Sequence, residues 1–134
     1  MLARQDRSEH DLRQRLAGAG ESPEIIEQTV RGRRQRRYLD DERFAAAAAE
    51  QAVRRGYGTD YVRARLEQHG LATALIDACL EPLYAEEETR AETLLRRRFP
   101  STPRSGAESA KAARYLLRRG FPESVVFAIL DEAC

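Results

Sequence analysis

The stretch LEQHGLATALIDACL, residues 66–80, decides the fold because the chain contains it three times in related form. Fifty residues earlier stands LAGAGESPEIIEQTV, residues 16–30, and fifty later LLRRGFPESVVFAIL, residues 116–130. Aligned without gaps, Leu16, Leu66 and Leu116 coincide, and Gly20, Gly70 and Gly120 follow four residues on. Ile26, Ile76 and Val126 then correspond, as do Val30, Leu80 and Leu130. Self-similarity at a fixed period of this kind marks a repeat architecture. The first part of each copy reads as a helix that runs through the Leu and closes at the Gly, a residue free to take the positive φ of a helix end. A second helix opens at once. In the first copy Ser22, Pro23 and Glu24 supply an N-cap, a proline suited to the first turn and an acid facing the positive helix end. Ile25, Ile26, Thr29 and Val30 form an apolar stripe, repeated by Leu75, Ile76, Cys79 and Leu80 and again by Val125, Val126, Ile129 and Leu130.

Working outward, the second and third copies carry one more helix ahead of this pair, over residues 41–55 and 86–98. Phe44 corresponds to Leu94 and Glu42 to Glu92 at the same fifty-residue step. Asp40 or Asp41 is expected to cap the first of these helices, and acids crowd both N-terminal turns while Arg crowds both C-terminal ends. The unit is therefore three helices. The first copy has only residues 1–6 where its leading helix belongs, so that helix is short or missing. One such unit buries little alone, and stacking on a neighbour completes its core. The expected fold is all-α: tandem three-helix repeats of about fifty residues in an elongated, curved array, the first repeat incomplete at its N-terminus. The expected divisions are residues 1–39, 40–85 and 86–134, with Leu16, Leu66 and Leu116 in equivalent buried positions.

Composition agrees and excludes other classes. At 134 residues the chain has room for one domain or a short array, and 9 aromatics without Trp argue against a thick core. Basic residues number 23 and acidic residues 22, so neither a polybasic tail nor an acidic tail is the whole identity. The Ala45 to Ala49 run and a basic set that is all Arg except Lys111 favour helix. Cys79 and Cys134 are too few for a metal cluster or a disulfide framework. No signal-like segment and no apolar stretch of about 20 residues is present, which predicts a cytoplasmic protein without a membrane partner.

Residues with catalytic or ligand chemistry have plainer readings. His10 and His69 lack companions at metal-binding spacing, and no phosphate-binding glycine motif occurs. Ser8 and Asp11 fit a capping box. Asp40, Asp41 and Glu42 fit a helix start better than an acid/base cluster. No catalytic residue, metal or cofactor is therefore assigned. The basic residues carry more: Arg31, Arg33, Arg34, Arg36 and Arg37 form a run without an acid, and Arg pairs or triplets recur at related places in the repeats.

The segment Tyr38-Leu39-Asp40-Asp41-Glu42-Arg43-Phe44-Ala45 resembles the signature joining the first two repeats of the RecX family, regulators of the RecA recombinase. Arg54-Arg55-Gly56-Tyr57-Gly58 is similar to the turn closing the next helix in that family. Arg96-Arg97-Arg98-Phe99 and Leu117-Arg118-Arg119-Gly120-Phe121 resemble its third-repeat elements. Arg33 stands where the family usually has an apolar residue, Arg37 where Gly is common and Arg65 where an acid is frequent. The resemblance implies a regulator that binds the RecA–DNA filament and suppresses filament growth, ATP hydrolysis and strand exchange; a monomer is expected. Equivalent positions of stacked repeats can align as a stripe, so Arg54, Arg55, Arg63, Arg65, Arg97, Arg98, Arg118 and Arg119 are the expected partner-binding residues. They would face acidic protein patches or the DNA backbone, since Arg suits both carboxylate and phosphate. The competing readings are a small helical nucleic-acid-binding module acting through the same Arg side chains, a repeat scaffold for another partner, and a merely solvated stripe. In the last case the interface belongs on the acidic turns around Asp41 and Glu87.

Overall fold

The computed structural model describes residues 4–100 and 106–133, and contains seven helices and no strand among them. In chain order they are α1 (Arg4–Gly18), α2 (Pro23–Arg54), α3 (Thr59–Gln68), α4 (Thr73–Tyr84), α5 (Glu87–Arg98), α6 (Gly106–Arg118) and α7 (Glu123–Ala133). The Leu-to-Gly helix of each repeat is α1, α3 and α6. Each closes in the same way: Gly20, Gly70 and Gly120 have φ of 83°, 83° and 85°. The N–H of the next residue then donates back to the carbonyl of the shared leucine, from Glu21 to Leu16, Leu71 to Leu66 and Phe121 to Leu116, at 3.1–3.2 Å. That closure needs a left-handed residue four positions after the leucine, which explains the Leu and Gly spacing.

The chain forms two compact units, residues 1–42 and 43–134, with α2 continuing from one into the other. In the first unit Leu12 on α1 and Val30 on the N-terminal part of α2 are buried, and two ion pairs join the helices. Ser22 caps α2 as expected, its Oγ accepting from the Ile25 N–H at 3.3 Å. Arg13 pairs with Glu27, and Arg34 grips Glu9 through Nε at 2.6 Å and Nη2 at 2.7 Å. These hydrogen bonds hold the Glu27 and Glu9 carboxyls below their ordinary range.

Three local expectations change. Asp40 and Asp41 cap nothing, because α2 runs unbroken through them as 32 residues. No Pro or left-handed Gly interrupts residues 33–42, and Arg37 and its neighbours are good helix formers, so nothing in the segment stops the helix. Ser8 and Asp11 lie inside α1 rather than at a capping box, since α1 already begins at Arg4. Leu16 is only half-buried, whereas Leu66 and Leu116 are 0% exposed. Among the described residues two helices, α1 and α2, stand around Leu16 in its unit, while three stand around each of the others.

The second unit holds two cores. Ala45, Ala48, Ala49 and Ala52 form a stripe at helical spacing on α2, and with Val62, Leu66, Ile76 and Leu80 they make the first. Small side chains let α2 come close: the Cys79 thiol reaches the Ala45 carbonyl at 3.5 Å. Phe44 stacks on His69 with ring centroids 3.7 Å apart, which gives that histidine a packing partner. Ala91, Leu95, Ala112, Leu116, Phe121 and Val126 form the second core from α5, α6 and α7.

Candidate interaction surface

The N-terminus of α3 shows how the second and third repeats are joined. The first backbone N–H groups of any helix lack partners within the helix, and Gly58, which precedes α3, has no side chain to cap them. The third repeat supplies the acceptors. Gly58 N–H donates to the Arg119 carbonyl at 2.8 Å, Thr59 N–H to Glu87 Oε2 at 2.7 Å and Asp60 N–H to the Gly120 carbonyl at 2.9 Å. The Thr59 hydroxyl donates to Glu87 Oε1 at 2.8 Å. Glu87 is thus a cap delivered from α5, and it is 1% exposed.

Burial pushes the Glu87 carboxyl up, more than the two Thr59 hydrogen bonds and the Arg90 charge pull it down. A carboxyl that holds its proton more firmly in the folded state stabilises the fold fully below its unfolded pKa. That contribution fades as pH rises through the higher folded value. Urea unfolding of the parent and of Glu87→Gln from pH 4 to 8 should therefore show the parent losing ground to the variant as pH rises. Parallel curves would refute this. Glu87→Ala leaves the Thr59 N–H unsatisfied in a buried place and should cost about 1–3 kcal/mol.

Arg119 completes the junction. Its Nε donates to the Gly56 carbonyl at 3.3 Å, its Nη2 donates to the Arg55 carbonyl, and its guanidinium lies 4.0 Å from the centroid of the Tyr57 ring. Tyr57 in turn stacks on Tyr61, with centroids 3.9 Å apart. Arg90 donates from Nη1 to the Tyr57 carbonyl at 3.1 Å and approaches Glu87 Oε2 at 3.8 Å. There is no room for a side chain at the crossing: a Cβ on Gly58 would stand 2.5 Å from the Gly120 carbonyl oxygen.

The eight expected arginines therefore divide. Arg54, Arg55, Arg65, Arg97, Arg98 and Arg118 are exposed. Arg98 lies beside the Phe99 and Tyr115 rings, at 5.4 and 5.9 Å. Arg63 donates to Asp77 at 3.0 Å, and hydrogen bonds to Tyr84 and Asp77 hold its guanidinium firmly charged. Arg119 is half-buried and committed to the turn at Arg55, Gly56 and Tyr57. Arg55 and Arg119 thus meet at one turn, but as carbonyl and guanidinium. Of the acidic turns, Glu87 is almost wholly buried and its carboxylate is committed to Thr59, while Glu86 and Glu88 are exposed. Sequence reasoning missed the roles of Gly58 and Arg90; the nearest signal was a glycine directly before the Thr59-Asp60 helix start.

Two open clefts accompany these surfaces. One, of about 490 Å³ in the first unit, is lined by Leu12, Thr29, Arg33, Arg36, Arg37 and Asp40. The other, of about 650 Å³ in the second unit, has Asp60, Glu87 and Glu88 in its walls beside Tyr84 and Pro122. Among the described residues no group of three or more His, Cys, Asp or Glu is placed to hold a metal ion, and no helix is long and apolar enough to cross a membrane.

Repeated helix closures, a carboxylate cap passed between repeats and a surface rich in arginine define a tandem three-helix repeat protein. Known proteins share this sequence pattern in order: residues 1–31 match the first three-helix domain of RecX, residues 40–80 the second and residues 86–130 the third. The chain belongs to the RecX family. It is 34% identical over 122 residues to the regulatory protein RecX of Stenotrophomonas maltophilia, covering 90% of this chain and 75% of that protein. It is 33% identical over 132 residues to that of Cronobacter sakazakii, covering 90% and 80%. The regulatory protein RecX of Ralstonia nicotianae is 32% identical over 132 residues, covering 98% and 82%.

Proposed function

We propose that this protein binds the RecA–DNA filament as a monomer and restrains it, inhibiting ATP hydrolysis, filament extension and strand exchange, and so modulates recombination and DNA repair. The observation that carries this reading is the match, in order, to all three RecX three-helix domains. The role is one of binding rather than catalysis. A bound regulator shifts the balance between active and inactive filament only by its differential affinity for the two. The exposed ends of α2 and α6 offer Arg54, Arg55 and Arg118 to a negatively charged partner, with Arg65 and Arg97 as further exposed contacts.

Titrating the protein into RecA on single-stranded DNA should lower DNA-dependent ATP hydrolysis. Charge reversal of Arg54, Arg55 and Arg118 together to Glu should weaken that inhibition at least tenfold, about 1.4 kcal/mol. Arg119 is left in place because its guanidinium holds the repeat junction. Removing Arg charge from helix C-terminal ends costs each helix roughly 0.3–1 kcal/mol, so melting curves accompany the titration. A folded triple variant that inhibits as well as the parent would show these arginines to be a solvated stripe.

A further inference from the structure

We propose that the cleft of the first unit, walled by Arg33, Arg36 and Arg37, binds the phosphate backbone of a single-stranded nucleic acid. This rests on and deepens the reading above, in which the protein meets a filament built on DNA. The three arginines project from one face of α2 at i, i+3 and i+4, with Thr29 one turn before them, Asp40 one turn after, and Leu12 of α1 opposite. At a rise of about 1.5 Å per residue, Arg36 and Arg37 lie roughly 4.5 and 6 Å along the axis from Arg33 and next to each other. Arg33 at one level and the Arg36–Arg37 pair about one turn further on therefore line the open cleft along the helix rather than around a point, a shape for successive phosphates more than for one small anion.

Their neighbours make the row unusual. Within the same helix pair Arg13 is bound to Glu27 and Arg34 to Glu9. Arg33, Arg36 and Arg37 make no hydrogen bond or ion pair with any described residue. Arg37 acts on Glu9 only through its charge. Asp40, the single acid in the lining, is itself engaged in an interaction. Three like charges gathered in a concave site repel one another until an anion enters, and guanidinium groups meet phosphate oxygens bidentately.

A nucleic acid fits this cleft better than an acidic protein segment. Protein hot spots sit in well-packed, fully desolvated pockets, whereas this cleft is open and Leu12 is the one large apolar residue in its lining. Backbone phosphates need no such anchor, because release of condensed counterions supplies the affinity.

The test measures binding of the full chain to a fluorescent oligo-dT strand by anisotropy over a range of salt concentrations, with no recombinase present. Changing Arg33, Arg36 and Arg37 together to Gln should weaken binding at least tenfold and flatten the slope of log K against log salt by about 2, at roughly 0.7 per lost phosphate contact. Changing the same three to Lys should keep most of the slope, which separates lost charge from lost structure. Equal affinity and equal slope for the Gln variant and the parent would overturn the proposal. So would loss of binding to DNA-free RecA with unchanged oligo-dT binding, which would mean that the cleft reads protein carboxylates. Failure of the broader reading looks different: the parent would bind oligo-dT with this salt signature yet leave RecA ATP hydrolysis untouched.

Discussion

Leu66→Ala is expected to destabilise the protein by about 2–5 kcal/mol, the cost of removing a fully buried leucine and leaving its space only partly refilled. Leu66 is 0% exposed and packs in the core with Val62, Ile76, Leu80 and the alanine face of α2. Small domains are stable by about 5–15 kcal/mol in total, so the variant should unfold at much lower urea concentration than the parent. Leu16→Ala is the built-in comparison, since the two leucines are equivalent in the repeat but Leu16 is only half-buried. Its cost should stay near 1 kcal/mol. Equal losses at the two positions would contradict the unequal enclosure of the two repeats.

Gly120→Ala should be comparably damaging, at about 2–5 kcal/mol, and for two separable reasons. The residue holds φ of 85°, where a Cβ costs roughly 1–2 kcal/mol. Its Cβ would also stand 2.4 Å from Tyr61 Cβ and 2.7 Å from the Tyr61 nitrogen, so the contact between repeats has to open, at a further 1–3 kcal/mol or so. Gly70→Ala isolates the first reason. Gly70 has φ of 83°, and a methyl group there would meet nothing within 4 Å, so only the backbone strain remains. Melting of the two variants should place Gly120→Ala clearly below Gly70→Ala. If they melt together, the crossing of the Gly120 turn over Gly58 and Tyr61 adds nothing to stability.

These two comparisons separate what was legible in the residues from what was not. The helix closures at Gly20, Gly70 and Gly120 were legible because they are local: one left-handed residue and one hydrogen bond to a carbonyl five positions back suffice. The stripes of the second helices were legible for the same reason, since a helix aligns residues three and four apart whatever it packs against. The unbroken course of α2 was not legible, because Asp40 and Asp41 are good capping residues, yet a helix interior holds them at only a modest cost in propensity when no residue nearby stops the chain. As for the site, the repeat pattern located arginines but did not reveal their commitments. Arg118 and Arg119 are neighbours in the same motif, yet one is exposed and the other bonds the turn at Gly56.

By itself the sequence determined an all-α chain of repeated helices, where most of them end, and its place among RecX proteins. Each of these follows from short-range geometry or from residue order. Only the tertiary structure decided that Glu87 would leave the surface to cap α3, that Leu16 would stay half-covered, and that Arg33, Arg36 and Arg37 would share one cleft while Arg34 bonds Glu9. The physical reason is common to all three. Burial and pairing depend on which surfaces distant parts of the chain bring together, and a repeat with fewer helices around it, or a helix end facing a neighbouring repeat, gives the same residue type a different set of partners.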